Sequence, residues 1–253
     1  MMDSYVLELL EKGKRIDGRR LDEFRKIEIR ENVVEKAEGS ASVKIGETHV
    51  IAGVKMELGQ PFPDSPDEGI LVVNAEFTPL ASPEFEPGPP GEDEIELARV
   101  VDRGIRESKC IELEKLCIKP GESVWCIFVD ISILNHQGNL LDASALASLV
   151  ALRNTRIPKV EDGKIIRGEY QGRLPVIFKP INVTVAKIKG NLLVDPNFEE
   201  EKVTEAKVSI SVRDDDKICA IQKQGGKEIL FEEIDKIIDL AIEKSKEIRK
   251  LVK

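Results

Sequence analysis

Three arginines on one face of a predicted helix are the residues whose types and spacing most directly indicate chemistry. Arg99, Arg103 and Arg106 are four and three residues apart, so at about 100° per residue they fall within roughly 60° of one another. Guanidinium groups placed in this way can contact successive phosphates of a single nucleic acid strand. The alternative, which the spacing alone favours, is a set of surface salt bridges to neighbouring carboxylates. These carboxylates belong to Glu96, Asp102 and Glu107.

Other side chains that could react or bind a metal are few. The chain has only two histidines, His49 and His136, and its four cysteines show no CxxC spacing. This excludes a classical zinc site and argues against a disulfide framework, so we predict that the cysteines are small buried hydrophobic residues. His136 lies beside a predicted turn, but no carboxylate and nucleophile are grouped around it in the sequence. A structural hydrogen bond is therefore the better interpretation of this histidine than a catalytic base.

The composition is that of a globular protein, and the absence of a membrane span or secretory signal in the sequence predicts that it is cytoplasmic. Of the 253 residues, 41% are hydrophobic and 34% are charged, which is ordinary for a soluble domain. No apolar run approaches the roughly 20 residues that are needed to cross a bilayer, and no secretory signal is visible at the N-terminus. The net charge of −9 argues against a surface coated in nucleic acid but allows a confined basic patch.

The stretch 131–152 predicts the element around which the chain is organised. It is typical of the end of a strand, a glycine-containing turn and a helix, with Asp142 as the predicted N-cap. The helix is apolar on almost every face, which predicts that it is buried. Many folds hold a phosphate on the free N–H groups of such a turn. This turn contains no Arg, Lys or Thr to hold one.

The remaining pattern predicts several strands followed by a helix in each half, and therefore an α+β protein with two related halves. Strands are predicted at 27–29, 40–55 (a hairpin turning at Gly46 and Glu47), 70–77, 123–134, 176–178, 182–188, 192–195, 206–212 and 218–222. Helices are predicted at 2–13, 95–109 and 234–248. In the second of these, Ile95, Ala98, Val101 and Ile105 form the predicted core face. A basic connector spans 153–175, and the glutamates 199–201 are predicted to be a solvated charge run.

Two motifs resemble those of ribonuclease PH-type proteins. The segment Arg15-Ile16-Asp17-Gly18-Arg19, followed by residues 39–50, is similar to the opening of that family. The arginine-bearing helix and the strand–turn–helix at 131–152 follow in the expected order, and the resemblance extends from about residue 12 to the C-terminal helix. Within the family, residues 134–142 and the proline-rich loops at 59–69 and 79–91 are most similar to the non-catalytic ribonuclease PH-like subunit of the archaeal RNA exosome.

The resemblance implies a fold, partners and a reaction. The fold would be the ribonuclease PH fold, two βαβα-type halves with mixed sheets and packed helices, with domains at 12–156 and 176–253 and a connector at 157–175. The chain would alternate with a catalytic ribonuclease PH-like sibling in a hexameric ring that carries RNA-binding cap proteins. That ring would degrade single-stranded RNA from its 3′ end, with phosphate as the attacking group and nucleoside diphosphates as products. No cofactor would be bound by this chain, magnesium is a candidate ion of the complex, and no membrane would be involved.

The chain departs from the active members of this family at its implied active site. Active members carry a Gly-Thr-Arg type turn that holds the attacking phosphate, where this chain has Leu140 and Leu141. They carry an aspartate in the second half, where this chain has Lys207, and an upstream arginine that falls near Asp93. Since a dianionic phosphate needs fixed donors and the reaction needs a carboxylate, the resemblance implies that this chain has no catalytic residues.

The resemblance also reverses the interpretation of the arginines. In the family, the helix arginines of this subunit reach the RNA 3′ end bound in the sibling, so Arg99 and Arg103, together with Arg106, become the implied RNA-binding residues. Two alternatives stay open. One is a free-standing phosphorolytic exoribonuclease with a non-standard phosphate site at Arg153, Arg156 or Arg173. The other is a pure scaffold whose helix arginines only make salt bridges at the ring contact.

Overall fold

The helices and strands are those of a two-part α+β chain. The computed structural model describes residues 2–161 and 163–252. Three residues, Met1, Asp162 and Lys253, lie outside the described residues. Asp162 falls in the predicted connector and Lys253 in the predicted second domain. The first part comprises α1 (Met2–Glu11), β1 (Ile27–Glu31), β2 (Gly39–Ile45), β3 (Thr48–Gly59), β4 (Ile70–Phe77), α2 (Glu92–Glu107), a 3-10 turn (Leu113–Leu116), β5 (Cys117–Lys119), β6 (Ser123–Asn135) and α3 (Leu140–Asn154). The second comprises β7 (Arg156–Glu161), β8 (Lys164–Arg173), β9 (Ile181–Ile188), β10 (Asn191–Val194), α4 (Phe198–Lys202), β11 (Ala206–Val212), β12 (Ile218–Gln224) and α5 (Phe231–Arg249).

The larger sheet has the order β1-β2-β3-β6-β4, and β5 pairs with the edge of β6. All of its pairings are antiparallel except that of β4 with β6, which is parallel. The sheet is therefore mixed, as predicted. The continuous apolar run 124–127 of β6 is buried, because a central strand is covered by neighbours on both sides. The predicted hairpin is confirmed, with Ile45 paired to Thr48 across the turn at Gly46 and Glu47.

The helix α3 lies between the two main sheets. One side packs on β2 and β3 and the other on β9 of the smaller sheet, whose order is β10-β9-β11-β12. Burial between two sheets explains why the helix is apolar on almost every face, and eleven of its fifteen residues are buried. The predicted buried helix is confirmed.

The smaller sheet is covered on its other side by α5, which packs on β9 and β11. This explains why seven of the eight residues of β9 are buried. The helix α1 forms a separate small core, in which Val6 and Leu10 pack against Ile188 and Leu193. The N-terminal helix is thus held by the second half of the chain rather than by the first.

Some predicted elements are wrong, and one hairpin was not predicted, while the domain bounds and the connector stay predictions. The basic connector at 153–175 contains the antiparallel hairpin β7–β8. Its charged side chains and glycines interrupt the alternation of apolar and polar residues by which a strand is predicted. Residues 176–178 form no strand and contribute only an isolated bridge between Ile111 and Val176. The helix α2 begins at Glu92 rather than near residue 95, since its first turn takes in three acidic residues that favour a helix N-terminus. Ile95, assigned to the core face, is 49% exposed.

Two predictions about single carboxylates are also wrong. Asp142 is not the N-cap of α3, because Asn139 occupies that position in the left-handed conformation with φ of 53°. Asp142 lies within the first turn instead and is 2% exposed. The glutamates 199–201 are not simply a solvated run, because they form α4 and Glu200 is completely buried.

Candidate functional site

A cleft of about 230 Å³ opens where α3 begins. One side of α2 forms one wall, the start of α3 forms the floor, and β11 closes the far side. Aromatic, apolar, acidic and amide side chains meet in it. The lining residues are Phe77, Phe85, Asp93, Glu96, Leu97, Val100, His136, Asn139, Leu140, Leu141, Thr184, Glu201, Lys207, Ser209 and Gln224.

The positions at which the resemblance implies a departure from active members meet in this cleft. Leu141, Lys207 and Asp93 all line it, although they come from three separate elements. Leu141 offers an apolar side chain, and the Lys207 ammonium lies 3.7 Å from the Glu201 carboxylate. The carboxylates of Asp93, Glu96 and Glu201 and the ammonium of Lys207 give the cleft a formal charge of −2. This charge opposes the binding of a phosphate.

The turn before α3 is occupied by a cation from the chain itself. The Arg25 guanidinium donates hydrogen bonds to the carbonyls of Gln137 at 2.6 Å and Gly138 at 3.1 Å. Gly138 has φ of 87° and approaches the backbone of residues 196–198 so closely that a Cβ would lie 2.5 Å from Asn197. Only glycine fits this position.

A buried carboxylate lies beneath the cleft. Asp142 accepts hydrogen bonds from the side-chain amides of Asn139 at 2.8 Å and Asn182 at 2.6 Å. It also accepts from the backbone N–H of Thr184 at 2.9 Å and its hydroxyl at 2.8 Å. Burial raises the pKa of Asp142 to about 6, and these hydrogen bonds oppose that rise. The network joins α3 to β9, so its role is to fix the two halves in register.

A second buried carboxylate is surrounded by arginines. Asp195 accepts hydrogen bonds from Arg19 at 2.9 Å, from Arg25 at 2.7 and 2.8 Å, and from Asn139 at 2.8 Å. Burial acts to raise the pKa of Asp195, but the hydrogen bonds and charges of Arg25 and Arg19 hold it below its usual value. The same carboxylate thus fixes the N-terminal segment and, through Asn139, the turn before α3.

The ion pair between Arg15 and Glu200 completes this joint. The Arg15 Nε lies 2.8 Å from Oε1 of Glu200, and both side chains are inaccessible to solvent. Nη2 of Arg15 also donates to Oε2 of Glu200 at 2.5 Å. Other Arg15 donors are used by backbone carbonyls, including those of Val194 and Asp195. We name the set Arg15, Arg19, Arg25, Asp195 and Glu200 the arginine joint. The motif at residues 15–19 therefore holds the fold together, and the sequence alone did not indicate this role.

The predicted RNA-binding arginines lie on the outer side of α2. Arg99, Arg103 and Arg106 are exposed and line a shallow groove with residues 71–73 of β4. We name these three residues the arginine face.

Only part of the arginine face is paired within the chain. Arg106 donates hydrogen bonds to Asp102 at 2.7 Å and to the carbonyl of Leu71 at 2.8 Å, and the Asp102 hydrogen bond raises the pKa of Arg106. Arg103 donates one hydrogen bond of 3.2 Å to Gln222. Arg99 has no hydrogen bond or ion pair to any of the residues that the structure describes. The salt-bridge interpretation thus holds for Arg106 and not for Arg99.

The histidine beside the turn has a structural environment. His136 Nδ1 accepts a hydrogen bond of 3.3 Å from the backbone of Gly138, and its ring stacks on Phe85 with centroids 5.5 Å apart. Burial lowers its pKa, so the ring is neutral at pH 7. The structure agrees with the interpretation of His136 as a turn histidine.

The part of the chain that the structure describes contains neither a metal-binding cluster nor a disulfide. Within residues 2–161 and 163–252, no group of three or more His, Cys, Asp or Glu side chains could hold a metal ion. All four cysteines are free, with Cys110 and Cys126 buried and Cys117 and Cys219 half-buried. No helix in the described part of the chain is long and apolar enough to cross a membrane.

The arginines of the alternative phosphate site lie elsewhere. Arg153 is in the last turn of α3, which at 1.5 Å per residue places it about 18 Å along the helix from Leu141. Arg156 and Arg173 face each other across the β7–β8 hairpin, and the Arg156 guanidinium lies 3.8 Å from the centroid of the Tyr170 ring. These three residues do not extend the cleft.

Comparisons with known proteins identify the family. Residues 23–158 match domain 1 of the 3′ exoribonuclease family (RNase PH), and residues 180–244 match domain 2. The chain is 51% identical over 257 residues to a protein of Thermococcus onnurineus named exosome complex component Rrp42, with 100% of this chain and 94% of the relative covered.

Solved structures give the same result. A chain described as the Archaeoglobus fulgidus exosome with RNA bound to the active site superimposes with a TM-score of 0.95 and 50% identity, covering 100% of this chain and 98% of the other. A chain described as the archaeal exosome core gives a TM-score of 0.89 and 47% identity, covering 99% and 96%. The predicted ribonuclease PH fold is therefore confirmed. The chain belongs to the 3′ exoribonuclease family and carries both of its domains.

Proposed function

We propose that this chain is a non-catalytic subunit of an archaeal exosome, in which it positions RNA for a catalytic sibling. The name of the Thermococcus onnurineus relative and the two archaeal exosome structures support membership of such a complex. In this proposal the complex degrades RNA from its 3′ end with phosphate as the attacking group. This chain supplies structure and cationic contacts, and the sibling supplies the chemistry.

The observation that carries the positioning role is the arginine face. Arg99 is exposed without an intramolecular partner among the described residues, and Arg103 is held only by a neutral amide at 3.2 Å. Guanidinium groups left open on a rigid helix are suited to phosphate oxygens, which accept two parallel N–H bonds from one arginine. Contacts of this kind are nearly independent of RNA sequence and sensitive to salt.

The cleft supports the absence of catalysis by this chain alone. A phosphorolytic site must stabilise an attacking dianion with fixed donors. Leu141 offers none, and Lys207 is directed to Glu201. Asp93 and Glu96 add negative charge to the same space, which raises the cost of bringing a phosphate there.

The remaining parts of the proposal concern the assembly. The chain alternates with its catalytic ribonuclease PH-like sibling in a hexameric ring, RNA-binding cap proteins sit on that ring, and the complex works in the cytoplasm. Phosphate, with magnesium as a candidate ion, is used at the sibling's site, and this chain binds no cofactor for the reaction.

The experiment compares two double variants in the reconstituted complex. Arg99→Glu with Arg103→Glu reverses both open charges, and Arg30→Glu with Lys36→Glu makes the same charge change at exposed positions on another part of the surface. We expect the first variant to weaken single-stranded RNA binding by about tenfold or more, since two phosphate contacts become repulsive. The control should stay close to the wild type, and both should still assemble. Equal RNA affinity and degradation for the two variants would leave only the scaffold interpretation.

A further inference from the structure

We propose that the base of the β7–β8 hairpin is a second contact surface for single-stranded RNA, formed by Arg156, Arg173 and Tyr170. The inference rests on the proposed function in one respect, namely that this chain meets RNA in the complex. It concerns residues that belong neither to the cleft nor to the arginine face. Three observations support it: the local charge, the pairing of two arginines across the hairpin, and the stack of one of them on an aromatic ring.

The hairpin is basic in an acidic chain. Residues 156–173 contain five Lys and Arg and three Asp and Glu, which gives a formal charge of +2, whereas the whole chain carries −9. Two of these carboxylates, those of Glu161 and Glu169, pair with the same ammonium group of Lys159 at 2.6 and 3.1 Å. The positive charge of the hairpin is therefore concentrated on other side chains.

Two of those side chains form a pair of like charges. Arg156 and Arg173 lie directly opposite each other in the hairpin, so their side chains leave on the same face with Cβ atoms about 4.5–5.5 Å apart. Both residues are exposed, and neither has a carboxylate partner among the residues that the structure describes. Like charges in this position destabilise a strand pair. An anion between the guanidinium groups removes the repulsion and accepts N–H bonds from both.

The aromatic ring favours a nucleotide as the source of that anion. The Arg156 guanidinium lies over the Tyr170 ring, 3.8 Å from its centroid. Arg156 is nevertheless exposed, which leaves the opposite face of its guanidinium plane for a ligand. Proteins that bind single-stranded RNA stack unpaired bases on aromatic rings and on arginine planes. A base on Arg156 with its phosphate at Arg173 uses both the plane and the charges, whereas an acidic peptide uses the charges alone.

The surface is held in place by the first part of the chain. Arg167 donates hydrogen bonds to Glu38 at 2.8 Å and to Glu57 at 2.6 Å, and the backbone N–H of Arg156 donates to the carbonyl of Glu38 at 2.9 Å. A Cβ added at Gly172 would meet nothing within 4 Å, so the space beside the arginine pair is open. A ligand therefore meets a surface that is already ordered, which lowers the entropic cost of binding.

The test measures the affinity of the reconstituted complex for a fluorescein-labelled oligouridylate by fluorescence anisotropy, in the absence of phosphate and over a range of salt. The hairpin variant is Arg156→Gln with Arg173→Gln. The control, Arg20→Gln with Arg30→Gln, removes the same charge at exposed positions elsewhere. We expect the slope of log affinity against log salt to fall by about 1.4 in the hairpin variant, about 0.7 for each lost phosphate contact, and to stay unchanged in the control. Equal slopes for the two variants would overturn the proposal.

Comparison with Arg99→Glu and Arg103→Glu separates this proposal from the proposed function. If that variant weakens RNA binding while the hairpin variant behaves as the control does, only the hairpin proposal fails. If the hairpin variant lowers the slope while the variant of α2 has no effect, the hairpin proposal holds and the role of the arginine face fails. Loss of folding is not expected to obscure the result, because the hairpin variant removes a repulsive pair, and thermal unfolding of each variant checks this.

Two further measurements identify the ligand. Arg156→Lys keeps the charge and removes the plane, so it should weaken RNA binding about fivefold or more if a base stacks there, and an unchanged affinity would overturn the stacking. A fluorescein-labelled oligoglutamate of the same length is the control ligand, and its affinity should differ little between the wild type and the hairpin variant. A dependence on Arg156 and Arg173 as large as that of RNA would assign the surface to an acidic protein and would overturn the proposal.

Discussion

The arginine joint and the arginine face are both clusters of three arginines, and they differ in where their counter-charges are. The arginines of the joint pair with carboxylates inside the chain, since Asp195 and Glu200 lie 170 or more residues away in sequence and are inaccessible to solvent. In the arginine face, Arg106 pairs with Asp102, and Arg99 pairs with no carboxylate among the described residues. The comparison shows that the intramolecular carboxylate partners of a basic cluster must be identified before the cluster is taken to bind an external anion.

The joint should be the more costly of the two clusters to break. Replacing Arg15 by Met leaves the buried Glu200 with only the Arg19 guanidinium, 4.0 Å away, and loss of one partner of a buried pair costs about 3–5 kcal/mol. We expect the free energy of unfolding to fall by that amount in urea titrations followed by circular dichroism.

The control for this prediction is Arg20→Met. Arg20 belongs to the same segment, but its side chain is 75% exposed, so its loss should change stability by less than about 0.5 kcal/mol. If Arg15→Met costs no more than Arg20→Met, the joint does not hold the two halves together.

The two buried carboxylates sharpen the comparison, because Asp195 has arginine partners and Asp142 has only neutral donors. The pKa of Asp142 is raised from 3.8 to about 6, so the folded chain binds this proton more tightly than the unfolded chain. The contribution of Asp142 to stability should therefore increase as the pH falls from about 6 to about 4, by up to about 3 kcal/mol.

The measurement is the difference in unfolding free energy between the wild type and Asp142→Asn at pH 7 and at pH 4. Taking the difference removes the contributions of the other carboxylates, several of which stabilise the chain less in acid. The penalty of the variant should grow toward pH 4. A difference that is constant or shrinks toward pH 4 would show that the pKa of Asp142 is not raised in the folded chain.

Within the arginine face, Arg99 and Arg106 should differ in their effect on RNA binding. Each arginine that contacts a phosphate of single-stranded RNA contributes about 0.7 to the slope of log affinity against log salt. In the reconstituted complex, Arg99→Gln should lower that slope by about 0.7, and Arg106→Gln should lower it less, because Arg106 is already engaged with Asp102 and Leu71. A larger loss for Arg106→Gln would reverse the assignment of the open arginine.

The smallest effect is expected for the ion pair between Arg106 and Asp102. Its side chains are 43% and 25% exposed and lie four residues apart on α2, where such pairs contribute about 0.3–0.5 kcal/mol. A double-mutant cycle with Arg106→Gln and Asp102→Asn should give a coupling energy of that size in thermal unfolding. A coupling above about 1 kcal/mol would place Arg106 with the arginine joint rather than with the arginine face.

The local elements of the fold could be predicted because their signals are local. The apolar run in β6, the turn at Gly46 and Glu47, and the all-round apolar pattern of α3 each lie within one segment. The exposure of the three arginines of α2 also follows from helical spacing.

The polar interior could not be predicted because its partners are distant. Glu200 looks like one of three solvated glutamates until Arg15 reaches it from 185 residues away. Asp142 has the residue type of an N-cap, but Asn139 takes that position in the left-handed conformation, which is tolerated by asparagine. The β7–β8 hairpin was missed because one face of an exposed hairpin needs no apolar residues. The resemblance to the family implies which positions differ from active members, and the structure places them in one cleft.

The most direct test of the central claim uses 5′-labelled single-stranded RNA with phosphate and magnesium. The purified chain alone is compared with the chain reconstituted with its catalytic sibling. We predict that the chain alone leaves the RNA intact and that the mixture shortens it from the 3′ end to nucleoside diphosphates. Shortening of the RNA by the purified chain alone would contradict the account, because Leu141 and Lys207 would then not mark a lost phosphate site.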